Sequence, residues 1–89
     1  MLRPIFTRQF ERDLKRMLKR GKDPEIFKTI ARMLLAETPL PVKYRDHKLL
    51  GPYVGRHDCH IEPDWVLIYK KESSAIVFER TGSHADLFE

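Results

Sequence analysis

Trp65-Val66-Leu67-Ile68-Tyr69 is apolar at every position. Successive strand residues face opposite sides of a sheet, so this run needs cover on both faces and belongs at a sheet centre. The segments around it read as its partners. Residues 54–61 form one strand, Glu62-Pro63-Asp64 a turn, 65–71 the central strand, Glu72-Ser73-Ser74 a second turn, and 75–80 a third strand. Turns this short make the three strands an antiparallel meander.

The first half of the chain has a different period. Arg3 to Thr7 is a short strand that Pro4 confines to an edge or a strand start. Thr7 caps a helix whose apolar residues Phe10, Leu14, Met17 and Leu18 fall at helical spacing and which Gly21 ends. Asp23-Pro24 opens a second helix with the stripe Ile26, Phe27, Ile30, Met33 and Leu34, stopped by Pro39 and Pro41. The expectation is an α+β fold in which an antiparallel helical hairpin packs on one face of the sheet. The other face is then left for a ligand.

With 89 residues the chain is one domain, 1–89. It is 42% hydrophobic and 34% charged, an ordinary globular balance. The five-residue apolar run is too short to span a bilayer, and residues 1–8 lack a signal-peptide core. A single cysteine, Cys59, excludes an internal disulfide and a paired-cysteine zinc site. A cytoplasmic protein that does not engage membranes is expected.

The net charge of +4 is concentrated in one segment. Residues 8–22 hold Arg8, Arg12, Lys15, Arg16, Lys19, Arg20 and Lys22 against Glu11 and Asp13. This is a helix face suited to a polyanion or an acidic partner, although solvated basic faces are common.

All four histidines lie in the second half, close to aspartates: Asp46-His47, His57-Asp58-Cys59-His60, Asp64, and His84. Strand parity puts Arg56, Asp58 and His60 on one polar face, open to solvent or substrate, and His57, Cys59 and Ile61 on the other. Such groups suit RNA cleavage by the substrate's own 2′-hydroxyl. That reaction needs a base, an acid for the leaving 5′-oxygen, and positive charge on the phosphorane. Arg56 and Arg80 are candidates to hold phosphate as bidentate donors. Trp65 and Phe88 are candidates to stack on a base, with Trp65 better suited to the core. Each residue taken singly also has an ordinary structural reading, as a rim histidine, a turn residue or a surface pair. A metal site is disfavoured, because His57 and His60 have opposite parity and no His-Glu-x-x-His helix is present.

Three ordered motifs carry a resemblance: Lys43-Tyr44-Arg45-Asp46-His47-Lys48-Leu49-Leu50-Gly51, then Arg56 to Tyr69, then Phe78-Glu79-Arg80-Thr81-Gly82-Ser83-His84-Ala85-Asp86-Leu87-Phe88. Together they resemble the YafQ-type toxins of the RelE/ParE superfamily of bacterial toxin–antitoxin systems. The resemblance implies two helices against a four-stranded, mostly antiparallel sheet. It implies a ribosome-dependent mRNA endoribonuclease that enters the A site of the 70S ribosome and cuts the codon there. Products end in a 2′,3′-cyclic phosphate, or its opened form, and a 5′-hydroxyl. No metal or cofactor is implied, and a cognate antitoxin is.

By motif, the implied site is His47, Asp58, His60, Asp64, His84 and Phe88. The resemblance makes His60 or His47 the base and His84 the leaving-group acid. Asp58 and Asp64 position histidines or ribose hydroxyls, Arg80 supports the phosphate, and Phe88 stacks. Arg8, Arg12, Lys15, Arg16 and Lys19 of the basic helix then dock on ribosomal RNA. His57, and Cys59 between Asp58 and His60, depart from the family pattern. A gyrase poison of the ParE kind is the alternative, and it has no need of proton-transfer groups. A plain RNA- or partner-binding module is another.

Overall fold

The computed structural model describes residues 1–49 and 55–89. Val54, the expected start of a strand, and Leu50 and Gly51 of the first motif lie outside the described residues. The elements run β1 (Arg3–Phe6), α1 (Arg8–Lys19), α2 (Pro24–Leu35), β2 (His47–Lys48), β3 (His57–Glu62), β4 (Trp65–Lys71), β5 (Ala75–Gly82) and α3 (His84–Phe88).

Local chemistry sets the helix ends. The Thr7 hydroxyl accepts from the Phe10 amide at 2.9 Å, and the Asp23 carboxylate accepts from the Glu25 amide at 2.9 Å with Pro24 opening α2. Both helices close on the same pair of backbone bonds. After α1, Gly21 donates to the Leu18 carbonyl and Lys22 to that of Met17; after α2, Glu37 donates to Leu34 and Thr38 to Met33. The turn residue needs a positive φ in each case. Gly21 supplies +89° at no steric cost, whereas Glu37 sits at +58° with a side chain.

Among the described residues the sheet has five strands in the order β1-β5-β4-β3-β2, which corrects the expected four. The addition is β2, a two-residue edge strand antiparallel to β3 and too short to show as a periodic run. β1 pairs parallel with β5, and the other pairings are antiparallel, so the sheet is mixed. β4 lies at its centre, with Trp65, Val66, Leu67 and Ile68 fully buried and Tyr69 3% exposed.

The helices also depart somewhat from the expected hairpin packed on the sheet. They meet through Phe10 and Phe27, whose ring centroids are 5.4 Å apart, but each packs mainly on the sheet. Phe78 of β5 completes this cluster, 5.8 Å from Phe10 and 5.6 Å from Phe27. Asp13 sits on the buried face of α1. Its carboxylate accepts from Arg80 Nε at 2.7 Å, Arg80 Nη2 at 3.3 Å, the Thr81 amide at 3.2 Å and Gln9 at 2.9 Å. Thr81 in turn accepts the Trp65 indole N–H and donates to the Val66 carbonyl, each at 2.8 Å.

The second face is not left bare. Val66 and Ile68 pack there with Leu87 of α3 and with Leu49. α3 therefore covers part of the face expected to be open, and it carries His84 to the end of the sheet.

Candidate active site

Sheet register assembles the site. His47 of β2 lies directly opposite Asp58 of β3, and His60 follows Asp58 on the same face. A bulge between His60 and Glu62 leads into the turn that carries Asp64. β5 ends beside that turn, where Ser83 caps α3 and makes His84 its first residue.

Asp64 and His84 are joined twice. The His84 backbone N–H donates to Asp64 Oδ1 at 3.0 Å, and His84 Nδ1 lies 2.9 Å from the same oxygen. The first amide of a helix has no partner within the helix, so a carboxylate there fits both its free donor and the helix dipole. These bonds hold the Asp64 carboxyl below the usual carboxylate range. As an ionised acceptor, Asp64 places a proton on Nδ1 and leaves Nε2 of His84 for exchange.

His60 stands edge-on to His84, with ring centroids 5.3 Å apart, and 6.5 Å from His47. Burial pushes the His60 pKa down, and Arg45, together with any charge on His84 or His47, pushes the same way against the pull of Asp58. A lowered pKa keeps His60 neutral near pH 7.

Asp58 is 4% exposed, although parity alone suggested an open polar face. Burial raises its pKa, and His47 and His60 only partly offset this. His47 Nε2 lies 2.9 Å from Asp58 Oδ1, but off the line of a hydrogen bond, so that among the described residues this oxygen has no aligned donor. His60 Nε2 is 3.9 Å from Oδ2. The other nitrogen of His47, Nδ1, is 2.7 Å from the Arg45 carbonyl. A carbonyl only accepts, so Nδ1 carries a proton.

His60 and His84 line a cleft of about 700 Å³ together with Lys43, Tyr44, Arg45 and Glu62. Phe88 lies one helical turn beyond His84, with centroids 6.0 Å apart, and is 43% exposed. The structure thus brings together His47, Asp58, His60, Asp64, His84 and Phe88. It places Arg56 and Arg80 differently from their expected role as open phosphate forks. Arg56 Nε is 2.6 Å from Glu79 Oε1 and Nη2 is 3.2 Å from Oε2, while Arg80 is bound to Asp13. Planar carboxylates match the guanidinium fork and occupy the donors a phosphate would use. Trp65 is core, as its place in the central strand suggested.

On α1, Arg8, Arg12, Lys15 and Lys19 are exposed. Arg16 and Arg20 lean toward α3, with Arg20 Nη1 2.7 Å and Arg16 Nη1 3.4 Å from the Asp86 carboxylate. The cleft residues Lys43, Tyr44 and Arg45 were missed as site candidates. Their signal was a cation–aromatic–cation run immediately before Asp46-His47.

The chain matches the family described as "Bacterial toxin of type II toxin-antitoxin system, YafQ" over residues 2–89. It is similar to the mRNA interferase toxin YafQ of Escherichia coli K12, 45% identical over 84 residues that cover 93% of this chain and 91% of that one. The crystal structure of YafQ from E. coli strain BL21(DE3) superposes with a TM-score of 0.94 at 41% identity, covering 100% of both chains. A crystal structure of the E. coli DinJ-YafQ complex contains a chain that superposes at 0.92, with 41% identity and 100% of both chains covered.

Proposed function

The chain belongs to the YafQ family of type II toxin–antitoxin toxins, and from that premise we propose that it is a ribosome-dependent mRNA endoribonuclease. It cuts the codon in the A site and so halts translation. The observation that carries this reading is the pairing of His60 with His84 across the cleft. One ring is kept neutral by its surroundings, and the other is oriented by an ionised aspartate.

The chemistry follows from those two states. Neutral His60 takes the proton of the ribose 2′-hydroxyl. The resulting oxygen attacks the adjacent phosphorus, and the bond to the 5′-oxygen breaks. His84, charged and held through Nδ1 by Asp64, donates its Nε2 proton to that leaving oxygen. The products are a 2′,3′-cyclic phosphate and a 5′-hydroxyl, and no nucleophile besides the substrate is needed. Two rings 5.3 Å apart disfavour double protonation. An acid–base pair requires one neutral and one protonated ring, and of the two His60 is the one kept neutral.

His60 suits the base better than His47: with Nδ1 of His47 on the Arg45 carbonyl, its remaining nitrogen, Nε2, is turned to Asp58 Oδ1 at 2.9 Å. Asp58 holds His47 beside the reacting groups. Arg45 and Lys43 on the cleft wall supply positive charge to the phosphate; Arg56 and Arg80 would join them only by exchanging partners. Phe88, part-exposed beside His84, stacks on a base of the codon.

The exposed cations of α1 dock on ribosomal RNA through phosphate contacts. A cognate antitoxin is the expected protein partner, as DinJ is for the E. coli toxin. Inhibition of gyrase without cleavage would leave the histidine–aspartate geometry without a use.

Primer extension on mRNA from cells briefly expressing the protein tests the proposal, with His84→Ala as control. Cuts in phase with codons, absent in the control, support it. Growth arrest without cuts refutes it.

A further inference from the structure

Asp46 and Tyr69 meet on the side of the sheet opposite the histidine cluster. The Tyr69 hydroxyl donates to Asp46 Oδ1 at 2.6 Å. Tyr69 belongs to the main core beneath the helices, whereas its neighbour Ile68, paired with Asp58, belongs to the second face. Burial, and then the hydrogen bond to Asp46, push the Tyr69 pKa far up, so it remains a donor at any physiological pH. His57, one residue before Asp58, stacks on the Tyr69 ring at 5.3 Å and keeps it in place. Among the described residues its buried Nδ1 has no hydrogen-bond partner, and it lies 3.7 Å from Asp46 Oδ1.

The backbone beside Asp46 is strained. Arg45 adopts φ +49°, a left-handed conformation that L residues with side chains avoid. Such conformations persist when the surroundings over-determine them. Two ties do so here: the Arg45 carbonyl facing His47 Nδ1, and the Asp46 carboxylate held by Tyr69. β2 is only two residues long and lies at the sheet edge, so its ladder bonds alone are a weak anchor.

We propose that Tyr69 and Asp46 are a positioning pair for the cleavage reaction: bonded across the sheet edge, they fix the strained 45–47 turn and so hold His47 against Asp58. Neither residue touches substrate. His57, which departs from the family pattern, acts as the wedge that orients the tyrosine. This assignment rests on the nuclease reading above, but its geometric half can be measured without any cleavage.

The test uses Tyr69→Phe, Asp46→Ala and the double variant, read in two ways. Histidine ring resonances by NMR report the position of His47. Single-turnover cleavage on mRNA-programmed ribosomes reports kcat and the half-saturating toxin concentration separately. Tyr69→Phe should shift the His47 ring signals and leave those of His84 in place. It should lower kcat about tenfold, the worth of one hydrogen bond, at unchanged half-saturation. Asp46→Ala should match it, and the double variant should lose no more than either single one.

Unmoved His47 signals in both single variants would overturn the proposal, whatever the cleavage rate. Shifted His47 signals with undiminished kcat would overturn it as well. If the wild type cleaves nothing, the nuclease reading fails, and the NMR comparison still decides whether the pair holds His47. Asp46 is part-exposed, so its variant serves if Tyr69→Phe does not fold.

Discussion

One oxygen of Asp64 accepts from both the backbone amide and the ring Nδ1 of His84, at 3.0 and 2.9 Å. The first bond fixes where α3 begins and the second fixes how its first side chain is turned. Asp64→Asn keeps an acceptor but loses the charge. It should lower the single-turnover cleavage rate by about 10- to 100-fold, less than the ~10²–10⁴-fold expected for His84→Gln. An Asp64→Asn enzyme of wild-type rate would separate this carboxylate from catalysis.

His60 is needed neutral, and its pKa is lowered from 6.5, chiefly by burial. On its acidic side the rate should therefore fall only below pH 6.5, on a limb set by the depressed value. A rate–pH profile on preformed toxin–ribosome complexes checks this. His60→Gln should abolish the limb together with most of the rate. An acidic limb centred above pH 6.5 would contradict the assignment.

Asp58 gives function and stability opposite signs. Its folded pKa is raised, mainly by burial, so the folded state holds the proton more tightly than the unfolded chain does. The stabilising contribution is complete below the unfolded carboxylate value and is lost as pH rises through the raised folded one. Once ionised, Asp58 is a buried charge that His47 and His60 only partly offset. Asp58→Asn should raise Tm at pH 7 while lowering cleavage at least tenfold. Thermal melts at pH 7 and pH 4 should show the variant's advantage shrinking in acid.

Asp13 is a different kind of buried acid, since Arg80, the Thr81 amide and Gln9 all donate to it. Removing one partner of a buried pair strands the other. Asp13→Ala should cost about 3–5 kcal/mol in denaturant unfolding, against less than ~1 kcal/mol for loss of the exposed Lys28–Glu25 pair. A loss below 1 kcal/mol for Asp13→Ala would show that Arg80 finds solvent instead.

The two helix ends predict opposite effects of glycine chemistry. Glu37→Gly should stabilise by about 1 kcal/mol, because the turn after α2 requires a positive φ. Gly21→Ala should cost a similar amount at the equivalent turn after α1. A new Cβ at Gly21 meets nothing within 4 Å, so that cost is conformational rather than steric. Urea unfolding of both variants compares them directly.

The central strand, the capped helices and the grouping of the histidines with Asp58 and Asp64 were legible in the chain because each depends on local pattern. A run apolar on both parities marked β4, hydroxyl and carboxylate caps marked α1 and α2, and the Asp-x-His spacing marked one face of β3. β2 was not legible, because a two-residue edge strand has no period and exists only through its register with β3. The carboxylate partners of Arg56 and Arg80 were hidden for a similar reason. Asp13 and Arg80 are 67 residues apart in the chain, and only the packing of α1 on β5 joins them. Asp13 did leave a trace, since it lies between Phe10 and Met17 on the apolar side of α1. Asp58 was placed on its face but expected to be open to solvent or substrate; α3 and β2, which help enclose that face, were the elements read least well.

The measurement closest to the central claim is the chemistry of the cut ends. A defined mRNA on purified ribosomes, with one codon held in the A site, is incubated with the wild-type protein and with His60→Gln and His84→Gln. The account predicts a single cut in that codon by the wild type, leaving a 2′,3′-cyclic phosphate and a 5′-hydroxyl, and a rate at least ~100-fold lower in each variant. A 5′-phosphate on the downstream fragment, or cleavage that survives both substitutions, would contradict it.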